Sequence, residues 1–237
     1  MGFLREFHEY GRFVRSLNVT FLVLVVKKGE VEDFRDFRPI SLVGGLYKLL
    51  AKVLATRLKK VVGKVVYWSQ NAFVERRQIL DVVFIANEAI DTLLKSNEKG
   101  VLCKLDIEKA YDHLNWNFLL LEMQKMSFRE KWAGWIRWCI STVMLSVLVN
   151  GTPSGFFHIT MGLRQGNLLS LYLFVIGMKA LSSLINKAVT GRFLIGCWVK
   201  GMGEDEAQIT HLMFTDVCIL WGFSRLDGLV ELVANVV

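Results

Sequence analysis

Ile209-Thr-His-Leu-Met-Phe-Thr-Asp-Val-Cys-Ile-Leu220 reads as two short apolar runs around a polar tip, the pattern of a β-hairpin. Asp216 stands at that tip. Val101-Leu-Cys-Lys-Leu-Asp-Ile107 is another short apolar run, and Asp106 stands near its end. A carboxylate ending a run of otherwise buried strand residues is costly to desolvate unless something pairs with it. Two of them can converge on a divalent cation, for which carboxylate oxygens are suitable ligands. A third carboxylate is expected beside Asp216, and Val217 stands there instead.

Composition sets the bounds. A chain of 237 residues makes one large domain or two small ones. Its 53% hydrophobic content supports a substantial core and argues against disorder. The excess of 29 Lys and Arg over 22 Asp and Glu, a net charge of +7, suits a polyanion partner; a merely basic surface would give the same number. Cys103, Cys139, Cys197 and Cys218 are widely spaced, so reduced buried thiols are expected and neither a disulfide framework nor a zinc site. His8, His113, His158 and His211 form no metal-ligand pattern. No unbroken apolar run reaches the ~18 residues of a transmembrane helix, and no membrane role is expected. The first residues lack the apolar stretch of a signal peptide.

Helices are predicted over 3–17, 46–62, 79–94, 116–126, 131–143 and 168–189. The second carries apolar residues at 46, 49, 50, 53, 54 and 58, with a Lys/Arg face of Lys48, Lys52, Arg57, Lys59 and Lys60. Buried strands are predicted over 20–26 and 101–107, a strand over 194–200, and hairpins over 145–160 and 209–221. This order suits an α+β fold, a sheet layered on helices.

Three further stretches carry candidate chemistry. Lys104-Leu-Asp-Ile-Glu-Lys-Ala-Tyr-Asp112 ends a strand at a carboxylate and places Tyr111 five residues on; a strand-end Asp that caps the next helix is the plainer reading. Met161-Gly-Leu-Arg-Gln-Gly-Asn167 leads into a long helix and could meet phosphate or base, or be an ordinary glycine turn. Phe37-Arg-Pro-Ile-Ser-Leu42, with Lys27 and Lys28 before it, places cations near a turn.

Taken together and in order, these stretches resemble the reverse transcriptase domain of non-LTR (LINE-type) retrotransposons, particularly of plants. The matching text includes FRPISLVGGLYKLL (37–50), SQNAFVERRQILD (69–81), LDIEKAYDHLNW (105–116), WIRWCIST (135–142), LVNGTPSGFF (148–157), GLRQG (162–166) and YLFVI (172–176). The resemblance implies a right-hand polymerase: fingers over 1–100, palm with an antiparallel sheet backed by helices over 101–225, a truncated or divergent tail over 226–237, and no thumb. It implies RNA-directed DNA polymerisation, with an RNA template, a DNA primer and deoxynucleoside triphosphates as partners and two Mg²⁺ ions (or Mn²⁺) as cofactors. Asp106 and Asp216 match the catalytic, metal-binding aspartates, with the Ile107 backbone carbonyl as a further ligand. Tyr111 matches the aromatic that excludes ribonucleotides. Lys27 and Arg38 match cations that contact the triphosphate. Gln165 and Gly166 match the loop beside the nascent base pair. The basic face over 48–60 is expected to follow the template backbone.

The text departs from the family pattern at several points. Val217 replaces the second Asp of the hairpin, which implies weaker metal binding and little or no activity in this copy. Asn167, Leu168 and Leu171 replace Asp, Pro and Pro, and a looser start to the helix at 168 is expected. Val26, Lys179 and Thr215 replace Pro, Glu and Ala. Several of these changes, Pro→Leu, Asp→Asn, Glu→Lys and Ala→Thr, are each reachable by a single C→T step on one DNA strand or the other, the bias expected of a decayed copy; Asp→Val at 217 is not. A catalytically dead nucleic-acid-binding remnant or a non-functional pseudogene product are the alternatives.

Overall fold

The computed structural model describes residues 2–27, 29–30, 32–96, 101–200 and 206–222. Lys28 and the expected tail over 226–237 lie outside them. In chain order the elements are α1 (Gly2–Tyr10), β1 (Val19–Val26), β2 (Phe37–Val43), α2 (Gly45–Val65), α3 (Ile79–Ser96), β3 (Val101–Asp106), α4 (Ala110–His113) and α5 (Trp116–Lys125). Then follow α6 (Glu130–Ser141), β4 (Met144–Val149), β5 (Thr152–Pro153), α7 (Leu168–Thr190), β6 (Cys197–Lys200), β7 (Glu206–Ile209), β8 (His211–Phe214) and β9 (Val217–Gly222). The α+β expectation holds. The chain divides into two compact units, Met1–Lys60 with Tyr111–Phe174, and Val61–Ala110 with Val175–Val237.

The first unit holds a sheet of order β2-β1-β4-β5, with β1 antiparallel to β2 and parallel to β4. The 37–43 segment is therefore a strand, where the sequence reading placed cations near a turn. Pro39 lowers strand propensity, but β2 is an edge strand, where a missing N–H costs no ladder bond. Ser41, two residues on, points its N–H the same outward way and donates to the Gln165 carbonyl at 3.1 Å. β1 is only half the buried strand expected. Leu24, Val25 and Val26, at its C-terminal end, are exposed. The helix expected over 3–17 stops at Tyr10 and resumes as a 3₁₀ turn at Arg15–Asn18; Gly11 between them has φ +70° and ends α1. The turn after β4 is Asn150-Gly151, both at positive φ, so β5 pairs after two residues and is shorter than the hairpin arm expected.

The buried seam of α2 is Tyr47, Leu50, Ala51, Leu54, Ala55, Leu58 and Val62. It is rotated from the expected stripe, since Leu46 and Leu49 are exposed. Lys48, Lys52, Arg57, Lys59 and Lys60 are all exposed on the other side. α7 is apolar almost all round. By length and composition it could cross a membrane, but 72% of its most apolar window is buried, as in a core helix.

The second unit holds a sheet of order β3-β9-β8 and a two-stranded sheet of β6 and β7. α3 packs on both sheets. The core here contains Val82, Ala89, Cys197, Ile209, Leu212 and Trp221. β3 departs from expectation. It is an edge strand exposed on one face, where Leu102, Lys104 and Asp106 alternate with the more buried Cys103, Leu105 and Ile107.

Candidate active site

β3 and β9 are antiparallel, with Asp106 directly opposite Val217. Directly opposed residues hold their Cα atoms about 4.5–5.5 Å apart, with side chains on one face. β8 and β9 are joined by the two residues Thr215 and Asp216, since Phe214 pairs with Val217. The ladder does not stop at Asp106: the N–H of Ile107 donates to the Asp216 carbonyl at 2.9 Å. Asp106 and Asp216 are thus held at one end of one sheet. The Asp106 side chain is exposed and that of Asp216 is half-buried. The Asp106 carboxylate therefore avoids the desolvation cost anticipated for it.

Thr215 shapes the turn. Its φ is +53°, a left-handed conformation that a β-branched residue rarely adopts. Its hydroxyl lies 2.7 Å from both the Phe214 carbonyl and Oδ1 of Asp216. One proton serves one acceptor at a time, so Oδ1 is shared with the turn and Oδ2 is left for a ligand. Among the described residues no three His, Cys, Asp or Glu side chains cluster as a complete metal cage. Two solvent-accessible carboxylates at one strand end nonetheless fit a hard divalent ion whose remaining ligands are water or substrate oxygens.

The other predicted site residues, Lys27, Arg38, Tyr111, Gln165 and Gly166, lie in the first unit. The Gly162–Gly166 loop draws three of them together. Gly162 has φ +84° and sits so close to α4 that a Cβ would lie 2.5 Å from the Asp112 carbonyl oxygen. Its N–H donates to Leu114 O at 2.8 Å, and Leu163 N–H donates to Tyr111 O at 2.6 Å. The Tyr111 ring stacks on Phe174, with centroids 4.4 Å apart and planes 16° from parallel. Gln165 donates from Nε2 to Asp112 Oδ1 at 3.4 Å, and Gly166 rests against Ile40 and Ser41 of β2. Lys27 is placed differently, because its ammonium donates to the Arg35 carbonyl at 2.8 Å in the loop between β1 and β2. Arg38 pairs with Val25 and is exposed; strand alternation puts it on the same face as Lys27.

Arg164 has a part that sequence reasoning missed. It is buried, 7% exposed, and stacks 3.9 Å above the Tyr47 ring. Its guanidinium donates to Asn18 Oδ1 at 2.7 Å, Thr20 Oγ1 at 3.1 Å and the Cys139 carbonyl at 3.0 Å. It ties β1 and α6 to the loop that carries Gln165. The signal available in sequence was an Arg inside a glycine-flanked loop, which reads equally as a phosphate ligand. The start of α7 is capped, where a looser entry was expected. Asn167 Oδ1 accepts from Leu169 N–H at 3.2 Å, and Asn caps as well as Asp.

The chain is 28% identical over 191 residues to the Transposon TX1 uncharacterized 149 kDa protein of Xenopus laevis, covering 81% of this chain and 15% of that protein. It is 25% identical over 156 residues to the retrovirus-related Pol polyprotein from type-1 retrotransposable element R2 of Popillia japonica, covering 64% and 21%. The chain thus spans less than a quarter of either relative. In fold it is similar to telomerase from Candida tropicalis, solved with a fragment of telomeric RNA, at a TM-score of 0.59 and 14% identity, covering 99% of this chain and 40% of that one. Residues 25–234 match the family described as reverse transcriptase (RNA-dependent DNA polymerase), and with most of its length inside that match the chain belongs to the reverse transcriptase family, in the company of non-LTR retrotransposon proteins.

Proposed function

We propose that the chain is the fingers and palm, divided near residue 100, of a plant LINE-type reverse transcriptase, in a decayed copy whose polymerase chemistry is weakened by Val217. The observation that carries this reading is the Asp106–Val217 register with the Ile107–Asp216 bond beyond it, which brings two carboxylates to one strand end.

Asp106, the Ile107 carbonyl and Asp216 would hold divalent magnesium or manganese. Such ions, when bound, acidify a primer 3′-hydroxyl and neutralise triphosphate charge in an in-line phosphoryl transfer. The chain's residues do the rest. Asp106 offers an exposed carboxylate, and Asp216 offers the oxygen that Thr215 leaves. The Tyr111 ring, fixed by its stacking on Phe174, is suited to reject a ribose 2′-hydroxyl. Lys27 and Arg38 supply positive charge for the triphosphate, while Gln165 and Gly166 face the nascent base pair. Loss of one preorganised charged group costs on the order of 10²–10³ in rate, so the copy is slow or silent.

A second reading is a nucleic-acid-binding remnant. It is favoured by the five exposed cations on α2, which suit a polynucleotide backbone whether or not chemistry survives. Primer extension on an RNA template, with Mg²⁺ or Mn²⁺, separates the two. Incorporation that vanishes in Asp106→Ala establishes the polymerase. RNA binding with a steep salt dependence and no extension, even in Val217→Asp, establishes the remnant.

A further inference from the structure

The Ser69–Asp81 block resembles the family text as closely as any other, yet nothing in the proposed chemistry uses it. Its place in the second unit is specific. Met213 N–H donates to Ser69 O at 2.8 Å and Asn71 N–H donates to Met213 O at 2.9 Å, so the segment adds a short parallel rung to the free edge of β8. Side chains repeat the connection two residues earlier on the strand. His211, 1% exposed, has Nε2 at 2.8 Å from Ser69 Oγ and 3.0 Å from Ser182 Oγ of α7, and Nδ1 at 2.9 Å from Thr210 Oγ1. The segment is itself fixed: Arg77 donates to the carbonyls of Tyr67, Trp68 and Gln70, Gln70 Oε1 accepts from Ala72 N–H, and Asn71 Nδ2 donates to Ser69 O. Ser69, Ser182 and His211 are all fully enclosed, so no substrate reaches them and a Ser–His nucleophile is not what the cluster makes.

We propose that the Ser69–Arg77 segment is a brace, acting through His211, that sets the register of β8 and thereby positions Asp216; this rests on the reading of Asp216 as a metal ligand. β8 has only four residues before the Thr215-Asp216 turn. A slip of one residue would turn every side chain of so short a strand to the opposite face and move the turn. The imidazole resists that slip because Ser69 and Ser182 lie on two other segments, the 69–77 stretch and α7, while Thr210 is its own neighbour in sequence. Ser69, Ser182, Thr210 and His211 are positioning residues, and Asp216 is the group they serve.

Hydrogen exchange at the Ile107 amide tests the brace directly, because that amide is bonded to the Asp216 carbonyl. In the full chain, His211→Leu is expected to speed exchange at Ile107 about tenfold or more while Val199 in β6 and Leu119 in α5 keep their wild-type rates. His211→Gln, which restores a polar nitrogen near Nε2, is expected to bring Ile107 back to within about threefold. Ser69→Ala is the milder variant should His211→Leu not fold, with a rise of a few-fold confined to the same amide. Unchanged exchange at Ile107 in the folded variants, or equal acceleration at all three amides, overturns the brace. Mn²⁺ binding, followed by electron paramagnetic resonance, tests the other premise separately. If Asp106→Ala leaves it unaltered, the metal reading fails whatever the exchange data show.

Discussion

The Ile107 N–H donates to the Asp216 carbonyl at 2.9 Å, one rung beyond the last residue of β3. This main-chain bond fixes the backbones of Asp106 and Asp216 relative to each other whatever side chain stands at position 217. Val217 therefore leaves the hairpin intact, and in the proposed metal site it offers neither charge nor a ligand.

Val217→Asp places a carboxylate directly opposite Asp106 on the same face. Like charges in that relation destabilise a strand pair by roughly 0.2–1 kcal/mol. In metal-free buffer the variant is expected to melt about 0.5–4 °C below wild type. Millimolar Mg²⁺ should reverse the deficit, and primer extension should rise by on the order of 10²–10³. Thermal melts with and without Mg²⁺, paired with the extension assay, check both signs. A variant insensitive to Mg²⁺ would show that the hairpin does not hold the ion.

Replacing Arg164 by Met strands the buried acceptor Asn18 Oδ1, while the Cys139 carbonyl keeps the bond it accepts from Asn18 Nδ2. An unsatisfied buried group costs about 1–3 kcal/mol, so urea denaturation should show a loss of roughly that size. Arg164→Lys should recover little of it, because an ammonium can neither span the three acceptors as the planar fork does nor stack on Tyr47 in the same way.

Gly162→Ala meets two penalties, a left-handed backbone and a Cβ 2.5 Å from a main-chain oxygen of α4. Strained backbone alone costs on the order of 1–3 kcal/mol, and the clash adds to it. Gly155→Ala supplies the comparison, since it has φ +69° with open space around its Cβ position. Denaturation midpoints should place Gly162→Ala well below Gly155→Ala.

Burial lowers the His211 pKa from 6.5 to about 4. The folded chain keeps the ring neutral where the unfolded chain would protonate it. This contribution to stability is complete above pH 6.5 and is lost as pH falls from 6.5 through about 4, amounting to about 3 kcal/mol at 1.36 kcal/mol per unit. His211→Gln should remove that share of the acid sensitivity. Urea denaturation of both proteins at pH 7.5 and pH 4 measures the difference, and parallel losses would assign the acid sensitivity to other groups.

Much of the site was legible in the sequence because its signals are local. The hairpin announces itself by two apolar runs around Thr215-Asp216, and α3, α5, α6 and α7 appear close to where periodicity put them. Asp106 and Asp216 could be singled out because acidic residues at the ends of apolar runs are conspicuous. The 37–43 strand was missed because Pro39 argues against a strand until the chain is seen to use it at an edge. The expected burial of β3 was wrong for a related reason: a six-residue run does not record whether neighbours cover one face or two.

The sequence by itself determined the lineage, the α+β class, and the identity of the two carboxylates and of the valine beside them. Only the tertiary structure decided what holds them. It put Asp106 opposite Val217, enclosed Arg164 among Asn18, Thr20, Tyr47 and Cys139, and joined His211 to Ser69 and Ser182. The physical reason is range. Turn and periodicity signals act over a few residues, whereas these hydrogen bonds join positions up to 146 apart, and a buried donor's partners are chosen by how the chain packs, not by its neighbours in sequence.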